Sequence, residues 1–154
     1  MDPRVRPASP EDAAVAARLL HDFNDEFEER TPPPEVLAER LGPILAEDDA
    51  TEVLLGGDPP IGIAVLRLRR SIFEDGLTAY LEELYVVPAH RGEGLGRALL
   101  DAVLERSRER GARSIELGTS EDDTAARGLY ESAGFINREG GPDGPVMYAY
   151  EREL

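Results

Sequence analysis

Val5 to Pro7 reads as a short first strand at the head of a polar, proline-rich N-terminus. Ser9-Pro10-Glu11-Asp12 then carries the marks of a helix start: a capping hydroxyl, proline at the first helical position, and acids in the electropositive first turn. Ala16, Leu19, Leu20, Phe23 and Phe27 come next at helical spacing, so this segment turns one apolar face inward. Prolines at 32–34 break the chain, with Thr31 placed to cap the next helix. That second helix, from about Glu35 to Glu47, sets Val36, Leu37, Leu41, Ile44 and Leu45 on its buried side, and Gly42-Pro43 marks a kink or an end.

From Thr51 the period changes to two. Glu52 to Gly56 reads as a strand, and Gly57-Asp58-Pro59-Pro60 as a turn. Ile61 to Ile72 is a second strand in which apolar residues alternate with arginine, and Glu74-Asp75-Gly76 leads into a third, Leu77 to Val87, ended by Pro88. A glycine-rich loop opens a helix from about Gly94 to Arg110, with Leu95, Leu99, Ala102 and Val103 on one face and Gly111 closing it. Ser114 to Gly118 predicts a strand, Asp122 to Ser132 a short helix, and Phe135 to Arg138 and Val146 to Glu151 two more strands. The order is that of a single α+β domain over residues 1–154, without repeats or linkers.

Composition narrows the chemistry. At 154 residues the chain can bury a core without a metal or disulfide. All 17 basic residues are arginine against 32 acids, a net charge of −15, and cysteine is absent. No lysine means no P-loop and no Schiff base. No cysteine means no thiol nucleophile and no cysteine zinc site. His21 and His90 are too far apart in sequence to suggest a metal centre, so no metal is expected. A net negative field disfavours nucleic acid. No apolar run reaches membrane-spanning length, so a cytoplasmic protein with no membrane partner is expected.

The strand-to-helix junction His90-Arg91-Gly92-Glu93-Gly94-Leu95-Gly96-Arg97 is the sharpest local signal. Glycines permit tight turning, and the first-turn amides of the helix have no intrahelical acceptor, which suits a phosphate. Residues 88–113 hold six arginines and four acids, the one basic island in an acidic chain. A bare turn that binds nothing is the plain alternative. A dinucleotide fingerprint is a second, with Glu116 some 20 residues on, but its third glycine falls at Arg97.

Arg91-Gly92-Glu93-Gly94-Leu95-Gly96 resembles the R/Q-x-x-G-x-G/A signature of the GNAT superfamily of N-acetyltransferases. The strand Tyr80-Leu81-Glu82-Glu83-Leu84-Tyr85-Val86 precedes it. The later segment Asp123-x-x-Ala126-x-x-Leu129-Tyr130-Glu131-x-x-Gly134-Phe135 is similar to the family's N-x-x-A-x-x-L-Y-E-x-x-G-F block, with Asp123 where the block has asparagine. The resemblance implies a mixed sheet splayed open between the strands ending near Val87 and at Ser114–Gly118. It implies acetyl-CoA as cosubstrate, with the backbone of Leu84 and Val86 on the pantetheine arm and the amides of Gly92, Glu93, Gly94, Leu95, Gly96 and Arg97 on the pyrophosphate. Arg91, Asp123 and Tyr130 belong to the same cofactor-binding set.

Acetyl transfer needs an unprotonated amine, and an alkyl amine near neutral pH is mostly charged. A carboxylate near the acceptor can take that proton. Glu82 and Glu83 are adjacent on one strand and face opposite sides unless a bulge intervenes. By similarity to polyamine and thialysine acetyltransferases, Glu82 is the first candidate base and Glu83 the second; solvated or salt-bridged strand positions are the alternative for both. Tyr130 is the candidate acid for the departing thiolate, with simple packing as its alternative. Direct transfer in a ternary complex to a small cationic amine (polyamine, aminoglycoside or amino-acid-like) is the expected function. Acetylation of a protein N-terminus or lysine, or a non-catalytic acyl-CoA sensor, are the alternatives. The acids of Asp22–Glu29 are either a wet helix face or the border of a cleft for a polycation. Arg67, Arg69 and Arg70 are exposed strand positions or the edge of a homodimer.

Overall fold

The computed structural model describes residues 1–154, in two compact units, Met1–Leu117 and Gly118–Leu154. In the first unit β1 (Val5–Pro7) leads through a 3-10 turn at Pro10–Asp12 into α1 (Ala13–Glu26). The Ser9 N–H donates to the Asp12 carboxylate at 2.8 Å, fixing this entry reciprocally with the Asp12 N–H on the Ser9 carbonyl. Next come α2 (Pro34–Glu47), β2 (Thr51–Gly56), β3 (Gly62–Arg70), β4 (Leu77–Val86), α3 (Leu95–Glu109) and β5 (Ala112–Leu117). Thr31 is not the cap of α2. Its hydroxyl donates to Pro32, and the Pro33 carbonyl receives the Val36 and Leu37 N–H groups instead. Nor does Pro43 end the helix. It lies on the exposed face, so the hydrogen bond it forfeits is lost where water is at hand.

The strands form one sheet in sequence order, antiparallel from β1 to β4, with β5 parallel to β4. Alternation along β2 and β3 feeds two cores. Val53, Leu55, Ile63 and Val65 pack with Ala16, Ala17 and Leu19 of α1 and Leu41 of α2. Leu54, Ala64 and Leu66 occupy the alternate positions and are fully buried, as are Leu99, Leu100 and Val103 of α3, which packs on the same strands. Gly56 and Gly62 let that helix approach: a Cβ on Gly56 would stand 2.9 Å from a Leu95 methyl, and one on Gly62 3.0 Å from Leu99 and 3.2 Å from the Tyr85 carbonyl. The strand expected over Ile61 to Ile72 stops at Arg70, where the Ser71 hydroxyl accepts the Phe73 and Glu74 N–H groups and turns the chain.

The second unit contains α4 (Thr124–Ser132) and a loosely paired tail. The two strands expected over Phe135–Arg138 and Val146–Glu151 reduce to a single bridge, Arg138 with Val146, and two flanking hydrogen bonds, Glu139 N–H to Pro145 O and Met147 N–H to Asn137 O. Ile136, Met147, Tyr148 and Tyr150 stay exposed, so the alternation has no buried face to hold a ladder together.

Candidate active site

Pairing between β4 and β5 begins at Leu77–Ala112 and ends at Leu81–Leu117. Beyond it β4 runs on to Val86 with β3 on one side and no strand on the other. The direction of the free groups is set by the antiparallel ladder. Val87 N–H bonds to the Ile61 carbonyl, so Tyr85 and Glu83 spend their backbone groups on β3, and Leu84 and Val86 turn theirs to the open edge.

The same strand carries a bulge. Val65 pairs with Glu83 while Leu66 pairs with Leu81, so Glu82 is an extra residue. An unbroken strand sends adjacent side chains to opposite faces, but here both carboxylates reach the face covered by α1 and α2. Both line one cavity there, together with Asn24, Thr51 and Arg67.

Their environments differ. Glu82 is held by Arg67, whose Nε lies 2.5 Å from Oε2; Arg67 also donates to the Thr51 hydroxyl at 2.8 Å. Arg67, left by its alternation as an exposed or dimer-edge position, is therefore a side chain of this cavity. Glu83 has neither counter-ion nor hydrogen-bond partner. Burial, and after it the charges of Glu82 and Glu29, push its carboxyl up to about 7.

The glycine loop continues from the open end of β4. Gly92 and Gly94 adopt φ of +83° and +80°, the left-handed conformation that glycine takes without penalty. The first bond of α3 runs from Ala98 N–H to Gly94 O, leaving the Leu95, Gly96 and Arg97 amides outside the helical ladder at its positive end. Leu95 itself is buried under the β2–β3 hairpin and anchors the helix start. The Glu93 carbonyl accepts from Arg4, and its carboxylate lies 3.3 Å from His90 Nδ1.

Arg91 turns away from the loop. Its Nε donates to the Val86 carbonyl at 2.9 Å, a terminal nitrogen bonds Glu26 at 2.8 Å, and the guanidinium lies 5.6 Å over the Tyr85 ring. Tyr85 stacks on Phe23 of α1, with centroids 5.1 Å apart. Arg97 likewise pairs with Asp101 one turn on. The positive character of this loop thus comes from backbone amides more than from free guanidinium groups.

Asp123 and Tyr130 belong to the second unit. Asp123 caps α4, its carboxylate accepting the Ala126 N–H at 3.0 Å, a position where aspartate serves as well as the asparagine of the resembled block. Tyr130 packs edge-on to Phe135 at 5.9 Å, and its carbonyl accepts the Phe135 N–H beyond the turn at Gly134.

An open edge inside a sheet, continued by unsatisfied helix-start amides, accommodates an extended amide-bearing arm that ends in phosphates. The acetyltransferase (GNAT) family model matches residues 14–135. The chain belongs to that family. It is an acyl-CoA-dependent N-acetyltransferase by that membership, and the mixed, splayed α+β sheet is the family's fold. It is 33% identical over 147 residues to an aminoglycoside N(6')-acetyltransferase type 1 of Stenotrophomonas maltophilia, covering 89% of this chain and 88% of that one. A crystal structure from Arthrobacter sp. FB24 superposes with a TM-score of 0.87 at 47% identity, over 97% of this chain and 95% of that one. A mycothiol acetyltransferase of Renibacterium salmoninarum is 42% identical over 71 residues, which span 44% of this chain and only 20% of the relative.

Asn24 and Glu29 fall within the run Asp22–Glu29 offered above as a cleft border; sequence reasoning missed Thr51, and Arg67 as the partner of Glu82. No local motif marks them, because several elements bring them together from positions far apart in the chain.

Proposed function

We propose that this acetyltransferase transfers the acetyl group of acetyl-CoA directly to the primary amine of a small cationic acceptor, with Glu83 as the base. The observation that carries the reading is the cavity-facing Glu83 carboxyl, unpaired and poised near neutral pH, one residue before the open edge of β4. A carboxyl of that basicity accepts a proton from an ammonium group at pH 7 and still releases it to water. Glu82, held by Arg67, raises the basicity of its neighbour.

Acetyl-CoA supplies an activated acyl carbon and a thiolate leaving group. The Leu84 backbone holds the pantetheine arm. The Val86 N–H polarises the acyl oxygen, and the amides from Gly92 to Arg97 take the pyrophosphate. Tyr130, by its place in the resembled block, returns a proton to sulfur. With no cysteine in the chain, no acyl-cysteine can form. The name of the 33% identical relative supports a small amine as acceptor.

The test is thiol release from acetyl-CoA across a panel of small amines. Release with some amines, lost in Glu83→Gln and kept in Glu82→Gln, supports Glu83 as the base. Equal loss in both variants returns the role to the pair, and loss in Glu82→Gln alone moves it to Glu82.

A further inference from the structure

The cavity beside Glu83 is mostly aliphatic. Leu20, Leu37, Leu41, Ile44, Val53 and Val65 form its walls, contributed by α1, α2, β2 and β3. Leu41, Val53 and Val65 are buried, whereas Leu20, Leu37 and Ile44 are only half-buried although they lie between helices and sheet. Their remaining exposure borders the cavity. Of its polar lining, Arg67, Thr51 and Glu82 are already bonded to one another, which leaves Glu83 and Asn24 to receive a ligand.

The volume is about 170 Å³. A leucine-lined protein cavity of roughly 150 Å³ holds benzene, so the space suits about six carbons. Six of the eleven lining residues are aliphatic, so an apolar body gains contact there that a sugar ring would not. The second ammonium of a polyamine gains nothing from leucine and isoleucine side chains.

We infer that the acceptor is a primary amine whose body is a compact apolar group of about six carbons, seated among these six side chains with its nitrogen at Glu83. This rests on the acetyl-transfer reading above and adds the identity of what enters the cavity. Glu83 takes one proton from the ammonium group, the nitrogen–carbon bond forms, and the carbon–sulfur bond breaks with its electron pair leaving on sulfur. The nitrogen then sheds a second proton, and sulfur is protonated.

The experiment uses the full chain, saturating acetyl-CoA, n-alkylamines from propylamine to octylamine, and spermidine and kanamycin for comparison. The expected kcat/KM rises about fourfold per methylene up to about six carbons and falls beyond. Hexylamine should exceed spermidine and kanamycin at least tenfold. Ile44→Phe should move the optimum to a shorter chain and Leu37→Ala to a longer one, with each variant's melting temperature confirming its fold. Turnover of spermidine or kanamycin with a flat alkylamine series overturns the apolar acceptor and leaves acetyl transfer standing. An optimum that neither variant moves overturns it as well. No thiol release from any amine overturns the acetyl-transfer reading itself.

Discussion

Glu83 owes its basicity first to burial and then to two like charges, Glu82 beside it and Glu29 from the segment after α1. The kcat/KM for an amine should therefore rise as pH passes through about 7, the range in which this carboxyl ionises. Glu83→Gln should lower it by about 10²–10⁴ and flatten that limb. The sign for stability is fixed by the same shift. Below pH 4.5 the carboxyl is protonated in both folded and unfolded chains; between 4.5 and about 7 only the unfolded chain ionises. The wild type thus loses stability across that window, and Glu83→Gln does not. Melting temperatures from about pH 4 to 8 should show the variant gaining on the wild type up to about pH 7, then a constant gap. Tyr130→Phe should reduce single-turnover rates while leaving the KM for acetyl-CoA unchanged; an unchanged rate would return the tyrosine to packing. Both glutamates were legible as candidates from residue type and position. The choice between them was not, because it depends on Arg67 lying across the β3–β4 ladder and on Glu29 some fifty residues earlier.

Among the elements, β4 and the loop after it carry the site, and the two were unequally legible. The loop and α3 were readable because their signals are local: glycine at positive φ, an apolar stripe, and Gly111 at the close. The bulge at Glu82 was not, since it is a property of pairing and no residue type demands it. The C-terminal strands were over-read for a related reason, an alternating pattern without a buried face. Arg91 joins these elements by binding the end of β4, α1 and the Tyr85 ring together. Its place in the signature has a structural content here: it holds the loop in position. Arg91→Ala should accordingly raise the KM for acetyl-CoA with little change in kcat. Gly94→Ala places a Cβ at φ +80° and should cost about 1–2 kcal/mol, read as a lower midpoint in urea unfolding.

For the whole molecule, the charge of −15 sets the terms on which an anionic cosubstrate approaches. The basic island at 88–113 offsets less of that field than its count suggests. Arg91, Arg97, Arg106 and Arg110 are spent on Glu26, Asp101 and Glu52. Raising salt from about 10 to 150 mM shortens the screening length from about 30 to 8 Å and should lower the KM for acetyl-CoA. Glu52 is tied by two arginines. Burial works to raise its pKa, but hydrogen bonds from Arg106 and Arg110 outweigh it and hold the group below its ordinary value. Its contribution is therefore present above about pH 4.5 and lost as pH falls below. Glu52→Gln should cost about 2 kcal/mol at neutral pH and lower the melting temperature by roughly 4–8 °C. The open length of β4 has a consequence of another kind. An unpaired strand edge is a template for joining a second chain, and proteins ordinarily blunt such edges with charge, proline or a cover. Here the edge lies inside the sheet and must stay bare to do its work, so the bound cosubstrate doubles as a stopper. Light scattering on warming should begin at a lower temperature without acetyl-CoA than with it, making solubility a readout of occupancy.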